Sequence, residues 1–422
     1  MRKIFVLIAL LATLTSQAAF NDWFLPKTLR IDYIHEGDAN SESYAIDELK
    51  SEPTWGGSLV YLIDTLKMGE YYFRVFDLAT NTLIYSRGYC TLFDEWQCTE
   101  EAKHTRRSIT ETVVMPFPKK DVRVEFYSRN PKGIYEKKFE YAVDVNSYFI
   151  SPERRLVFPI YTTLISGDPS VKIDIVILPE GYTALEMEKF KADCDKFTRD
   201  FFSYSPYSEN RDKFNIRAVL APSAESGTDI PAKNIWKNTL MNSGFYTFDS
   251  ERYLMTFDDK SVRDLAANAP YDQIYILVNS SKYGGGSIYN LYSMSVNSNS
   301  SSAKIFVHEF GHGFAGLADE YDDGSTAFNQ MYPLDIEPWE PNLTTLVDFG
   351  HKWKDLLPVG VKIPSDADPD HPTRLGVYEG GGYVSKGIFR PTPDCLMRTF
   401  KDNEFCPVCK RAIQAMINIQ TR

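Results

Sequence analysis

Between residues 29 and 143, apolar and polar positions alternate in short runs, Leu29–Tyr33, Tyr71–Phe76, Leu83–Tyr89, Val122–Tyr127 and Lys138–Val143, with turn residues between them. A period of two puts successive side chains on opposite faces of a strand, so this spacing predicts an antiparallel β-sandwich. From about Val171 the rhythm changes. Ile173–Leu178 is a nearly continuous apolar run, expected to be a buried strand, and Thr183–Phe202 carries the helical period, with Thr183 as N-cap and Glu186 as its capping-box partner. Phe214–Leu220 and Ile274–Val278 follow as strands. Gly284-Gly285-Gly286 then precedes Leu291–Val296, which is expected to be an edge strand beside a cleft. Such an edge can bind an extended peptide by strand addition, or the glycines can form a flexible loop. The fold class expected is therefore α+β and multidomain. A leader spans residues 1–18, an antiparallel β-sandwich domain residues 19–155, and an α/β domain residues 156–422.

The leader reads as an export signal. Arg2 and Lys3 precede an apolar run from Ile4 to Leu14, and Thr15-Ser16-Gln17-Ala18 offers small residues for cleavage after Ala18 or one residue later. About 11 apolar residues are too few for the ~20 that span a bilayer. No stable membrane span is expected elsewhere, and the protein is expected to be periplasmic or extracellular. The chain has 422 residues, 43% of them hydrophobic, enough for large cores. Its net charge of −11 argues against nucleic acid as a partner.

Chemistry concentrates in His308-Glu309-Phe310-Gly311-His312. Residues four apart on a helix share a face, so both imidazoles can reach one ion, and Zn²⁺ is the expected cofactor. Glu309 projects beside them, where it can take a proton from a water that the metal has acidified. Gly316 can end the helix in the left-handed region and turn the chain back, bringing Asp319 round as a third ligand. A distant glutamate, Glu337 or Glu340, is the alternative third ligand. His35 and His104 are isolated, and His351 and His371 lie in polar, proline-rich loops.

Six cysteines in an exported chain can be disulfides, buried thiols or metal ligands. Cys90 and Cys98 are close enough in sequence to pair. Cys406-Pro407-Val408-Cys409 is half of a structural zinc pattern or a redox pair, but no second such pair exists. A bridge from Cys395 to Cys406 or Cys409 is the reading preferred over free thiols. Cys194, on the Thr183–Phe202 helix, is expected to be core packing.

A zinc helix ending at a glycine, a ligand shortly after it and a later Cys395-Leu396-Met397 segment resemble the metzincin clan of metallopeptidases. More narrowly, these features together with Gly316-Leu317-Ala318-Asp319-Glu320-Tyr321, Tyr378-Glu379-Gly380-Gly381, Gly387, Arg390-Pro391 and Phe405-Cys406-Pro407-Val408-Cys409 resemble the bacterial M64 peptidases, the IgA-peptidase family. Arg87-Gly88 and Glu95-Trp96 are similar to that family's N-terminal domain, so the likeness covers the whole mature chain. It implies a zinc endopeptidase acting on a protein or peptide substrate, with His308, His312 and Asp319 as ligands, Glu309 as general base and Met397 beneath the metal. In the wider clan the glycine falls three residues after the second histidine and the third ligand six after; here Gly316 is four after and Asp319 seven after. Glu320 can therefore replace Asp319. Tyr378 or Tyr383 can donate to the reacting oxyanion. Two other functions share these features: an exported binding protein on a non-catalytic scaffold, and a zinc amidase acting on cell-wall peptides.

Overall fold

A long ribbon opens the fold: β1 (Phe24–Asp38) turns directly into β2 (Ser41–Glu52), paired antiparallel from Thr28–Glu52 to Asp38–Ser41. The structure, a computed structural model, describes residues 19–322, 331–366, 370–401 and 404–422, so the expected export signal lies outside the described residues. The next elements are β3 (Tyr71–Asp77), β4 (Leu83–Tyr89), α1 (Leu92–Gln97), β5 (Arg107–Pro118), β6 (Val122–Arg129), β7 (Tyr135–Val143) and β8 (Ile150–Ser151). They complete two four-stranded sheets, ordered β5-β1-β2-β8 and β4-β3-β6-β7. Alternate side chains of both sheets, among them Leu29, Ile31 and Tyr33 of β1, Phe73 and Val75 of β3, and Val124 and Phe126 of β6, share one hydrophobic cluster. This is the period-two pattern expressed as packing.

A six-stranded sheet follows, built from β9 (Ile160–Leu164), β10 (Ile173–Glu180), β11 (Phe214–Val219), β12 (Gln273–Val278), β13 (Gly285–Ile288) and β14 (Tyr292–Val296), ordered β13-β14-β12-β10-β11-β9. β14, β12, β10 and β11 run parallel, and the two outer strands antiparallel. Every residue of β10 and β12 is buried, as nearly continuous apolar runs covered on both faces require. The helix after β10 begins with the expected Thr183–Glu186 capping box, passes through one 3₁₀ turn and continues as α2 (Met187–Phe201). α3 (Asp259–Ala266), α4 (Ser302–Ala315), the hairpin β15 (Tyr378–Gly381) with β16 (Val384–Arg390), and α5 (Pro407–Gln420) follow, with short 3₁₀ turns between them. The molecule is thus mixed α/β with several sheets and a β-rich N-terminal region.

Two expectations are corrected. The edge strand is β13, which contains Gly285 and Gly286, and β14 lies one strand further in. Its outer edge is already bonded at Gly285, to the Arg252 carbonyl and the Leu254 N–H. The expected disulfides are also absent, all six cysteines being unbridged. Cys90 and Cys98 flank opposite ends of the six-residue α1. That helix is about 9 Å long, beyond the ~7 Å between Cα atoms that a disulfide spans. Cys395 Sγ stands 3.8 Å from Cys409 Sγ, too far for a bond. Cys194 is buried on α2 as expected.

Candidate active site

α4 is apolar on nearly every side because it is packed on nearly every side. Phe306 stacks on Tyr275 of β12 with ring centroids 3.9 Å apart, and Phe310 meets Phe201 of α2 at 5.1 Å. Gly313 lets the helix approach the sheet, since a Cβ there would lie 2.4 Å from Ser293 Oγ and 2.7 Å from Ser287 Oγ. Only the stripe bearing His308 and His312 is left facing a cleft. The helix ends at Gly316, with φ +59°, whose N–H donates to the His312 carbonyl at 2.9 Å. That left-handed cap turns Leu317–Tyr321 back under the histidines.

Three atoms converge there. His308 Nε2 and His312 Nε2 are 3.1 Å apart, and Asp319 Oδ1 lies 3.2 Å from the first and 3.4 Å from the second. Both Nδ1 atoms face main-chain carbonyls, that of His308 at Leu396 (3.0 Å) and that of His312 at Leu317 (2.5 Å), so Nδ1–H donates outward and each Nε2 turns a lone pair inward. Asp319 Oδ2 accepts from the hydroxyls of Tyr321 (2.6 Å) and Tyr383 (2.8 Å). Oδ1 is buried with no hydrogen-bond partner. Two lone pairs and an orphaned carboxylate oxygen aimed at one point repel unless a cation stands between them. Ligands held at about 2.0–2.1 Å on a tetrahedral ion are about 3.3 Å apart. The residues present therefore fit a divalent metal. Burial opposes charge on His312, yet Asp319 lifts its pKa to about 9, so the pocket favours positive charge where the three atoms meet.

The other expected residues fall as follows. Glu309 lies beside the pair on α4, buried, its carboxyl pushed up by burial and by Asp319 against the pull of the histidines. A Cβ on Gly285 would come within 2.7 Å of Glu309 Oε1, so β13 passes directly against this carboxylate. Met397 is fully buried; its sulfur would lie 3.2 Å from a Cβ on Gly311, which sets it under α4 between the histidines. The Met397 carbonyl accepts from the Glu320 N–H at 2.8 Å. Glu320 itself points away from the histidines, toward Cys409 and Asn342. Glu337 accepts from Thr345 and the Asp348 N–H, and Glu340 from Tyr332. Tyr383 lines the cleft, whereas Tyr378 packs against Gly376 and does not.

The cleft has a volume of about 850 Å³, and one wall comes from the N-terminal region. Glu95 of α1 faces the site and accepts a hydrogen bond from the Tyr253 hydroxyl. Burial pushes its carboxyl up to about 8. Glu70 accepts from Trp339 Nε1 at 2.7 Å, and Met68 touches the position of Gly316. Nothing in the residue pattern gives Glu95 or Tyr321 a role, beyond the dipeptide Glu95-Trp96 and the run ending in Tyr321.

Two family models match the chain: IgA Peptidase M64 over residues 162–370 and 366–417, and Peptidase M64 N-terminus over residues 19–140. No curated protein matches it. The chain is therefore a peptidase, a hydrolase whose substrates are proteins. It belongs to the IgA Peptidase M64 family of metal-dependent peptidases. Among the described residues, no helix is long and apolar enough to cross a membrane.

Proposed function

We propose that the protein is an exported zinc-dependent endopeptidase, with an N-terminal domain over residues 19–155 and a metzincin-like catalytic domain over residues 156–422. His308, His312 and Asp319 are its metal ligands and Glu309 its general base. The observation that carries this reading is the convergence of two imidazole Nε2 atoms and an orphaned Asp319 Oδ1 at separations of 3.1–3.4 Å. When bound, zinc supplies a Lewis acid that acidifies water and polarises a carbonyl.

The chain's own residues do the rest. The Leu317 and Leu396 carbonyls fix the histidine tautomers, and Tyr321 and Tyr383 hold Oδ2 of Asp319 so that Oδ1 faces inward. Glu309 takes the proton of the attacking water and returns it to the leaving amine. A raised pKa suits a group that must both accept and release that proton. In this reading Tyr383 serves Asp319.

Glu309→Gln is the test. It should keep the metal and lose about 10²- to 10⁴-fold in peptide hydrolysis, the range of general acid–base catalysis. Undiminished turnover by the zinc-loaded variant would remove the base assignment. Export rests on the pattern of residues 1–18, and the intact mass of protein recovered outside the cytoplasm should correspond to a start at residue 19 or 20. A mass that retains the leader would overturn that part.

A further inference from the structure

Asp319 and Glu320 are neighbours in a non-helical stretch, and their side chains go opposite ways. Asp319 faces the histidines; Glu320, fully buried, faces Cys395, Cys406 and Cys409. One ligand atom from each of these four buried residues lies within 4.8 Å of every other. Cys395 Sγ and Cys409 Sγ are 3.8 Å apart, and Cys409 Sγ is 3.3 Å from Glu320 Oε1. Two sulfurs at about 2.3 Å from a tetrahedral ion stand about 3.8 Å apart, and a sulfur and a carboxylate oxygen about 3.5 Å. The Cys395–Cys409 and Cys409–Glu320 pairs already stand near these spacings, and Cys406 lies within 4.8 Å of each.

Main-chain donors are aimed at the sulfurs. Cys406 N–H donates to Cys395 Sγ at 3.2 Å and Cys409 N–H to Cys406 Sγ at 3.4 Å, the latter at the N-terminus of the 14-residue α5. Such donors favour thiolate over thiol. The glutamate supplies an independent sign. Its Oε1 accepts from Asn342 Nδ2 at 2.9 Å, and Asn342 is clamped by the Ala318 N–H and carbonyl at 2.8 and 2.9 Å. Its Oε2 is buried with no hydrogen-bond partner. A carboxylate fixed this way, with Oε1 against the Cys409 sulfur and Oε2 buried without a partner, is costly without a cation.

We propose that Cys395, Cys406, Cys409 and Glu320 form a second, structural zinc site. Thiolate-rich, four-ligand and closed, it offers no position for substrate. Its ion would tie together the three segments that support the first site. Cys395 immediately precedes Leu396, whose carbonyl orients His308. Glu320 follows Asp319 and donates its N–H to the Met397 carbonyl, and α5 supplies the remaining two ligands.

Metal analysis and zinc X-ray absorption of the full-length mature protein, purified without chelator, test this. The wild type should carry two zinc ions per chain, with a sulfur shell at about 2.3 Å beside a nitrogen and oxygen shell. The His308→Ala/His312→Ala double variant should keep one zinc, now surrounded mainly by sulfur. That result is independent of whether the histidine site is catalytic. Absence of a sulfur shell in the wild type, or a disulfide among these three cysteines in peptide maps of the native protein, would overturn the proposal. In the double-histidine background, Glu320→Gln should lose its zinc to a chelator at least tenfold faster; an unchanged rate would refute Glu320 as a ligand.

Discussion

Gly285→Ala places a methyl group where β13 meets Glu309, the proposed general base. The new Cβ would lie 2.7 Å from Glu309 Oε1, about 0.7 Å inside the 3.4 Å at which ordinary contact begins. Ile305 Cγ2 at 2.9 Å and the Met294 carbonyl oxygen at 3.0 Å close the other directions. Of these three neighbours the carboxylate end of Glu309 yields most easily, because the others belong to a packed helix and a sheet ladder. The fold should therefore survive, at a cost of about 1–3 kcal/mol for overpacking, while Glu309 is displaced. A misplacement of about 1 Å in a reacting group costs on the order of 10²-fold. The expected loss in kcat/KM is thus roughly 10- to 100-fold, or about 1.4–2.7 kcal/mol in transition-state stabilisation. Under the proposed assignment Glu309 is the base and not a ligand, so metal content should be unchanged. Peptide hydrolysis under kcat/KM conditions, with zinc measured on the same samples, reads both quantities. Full activity at full zinc occupancy would refute the close approach of β13 to the base; equal losses of zinc and activity would refute the claim that the displacement acts through Glu309.

Removing both donors to Asp319 Oδ2, in Tyr321→Phe/Tyr383→Phe, should weaken metal binding about 10- to 100-fold in chelator competition, and unaltered affinity would leave the two tyrosines without a positioning role. In the N-terminal region, His35 is buried between Glu111 (3.0 Å) and Glu42 (3.1 Å) and stacked on Phe93. Burial disfavours its charge, but the two carboxylates outweigh burial and its pKa is raised. A raised folded-state pKa contributes stability that is complete below the unfolded value of about 6.5 and is lost as pH rises through the folded value. His35→Gln should destabilise by about 3 kcal/mol near pH 6 and flatten the fall in melting temperature above it; melting curves that stay parallel across pH would contradict the ion-pair account.

Local signals carried the parts of this molecule that are local. The histidines four apart, the glycine that caps α4 and the capping box ahead of α2 each act within one or two turns of chain, and all three form as the residues specify. The apolar run of β10, broken by Asp174 alone between Ile173 and Leu178, could not be mistaken for a half-exposed strand. β2 was not legible, because Ser41–Glu52 is mostly polar and takes its conformation from pairing along β1. Which acid of the Asp319-Glu320 pair meets the histidines depends on how the chain leaves Gly316, which spacing alone leaves open. The cysteines misled for a similar reason: thiols that form a bridge and thiols that surround an ion have the same spacing in sequence. The fourth member, Glu320, lies 89 residues before Cys409. Glu95 reaches the cleft from a different sheet system altogether.

The hydrophobic cluster around the cleft includes Leu92, Phe93 and Trp96 of α1 together with Tyr289, Phe306 and Phe310, so the wall from the N-terminal region and the floor from α4 belong to one packed interior. Buried charges reinforce the seam, with Arg30 of β1 and Lys50 of β2 both at 2.6 Å from Asp264 of α3. Close-packed interiors resist sliding. That side of the cleft is therefore set when the chain folds, and a polypeptide must conform to it to enter. Selection among substrates would then fall first on extended or loosely structured segments, before any side chain is read.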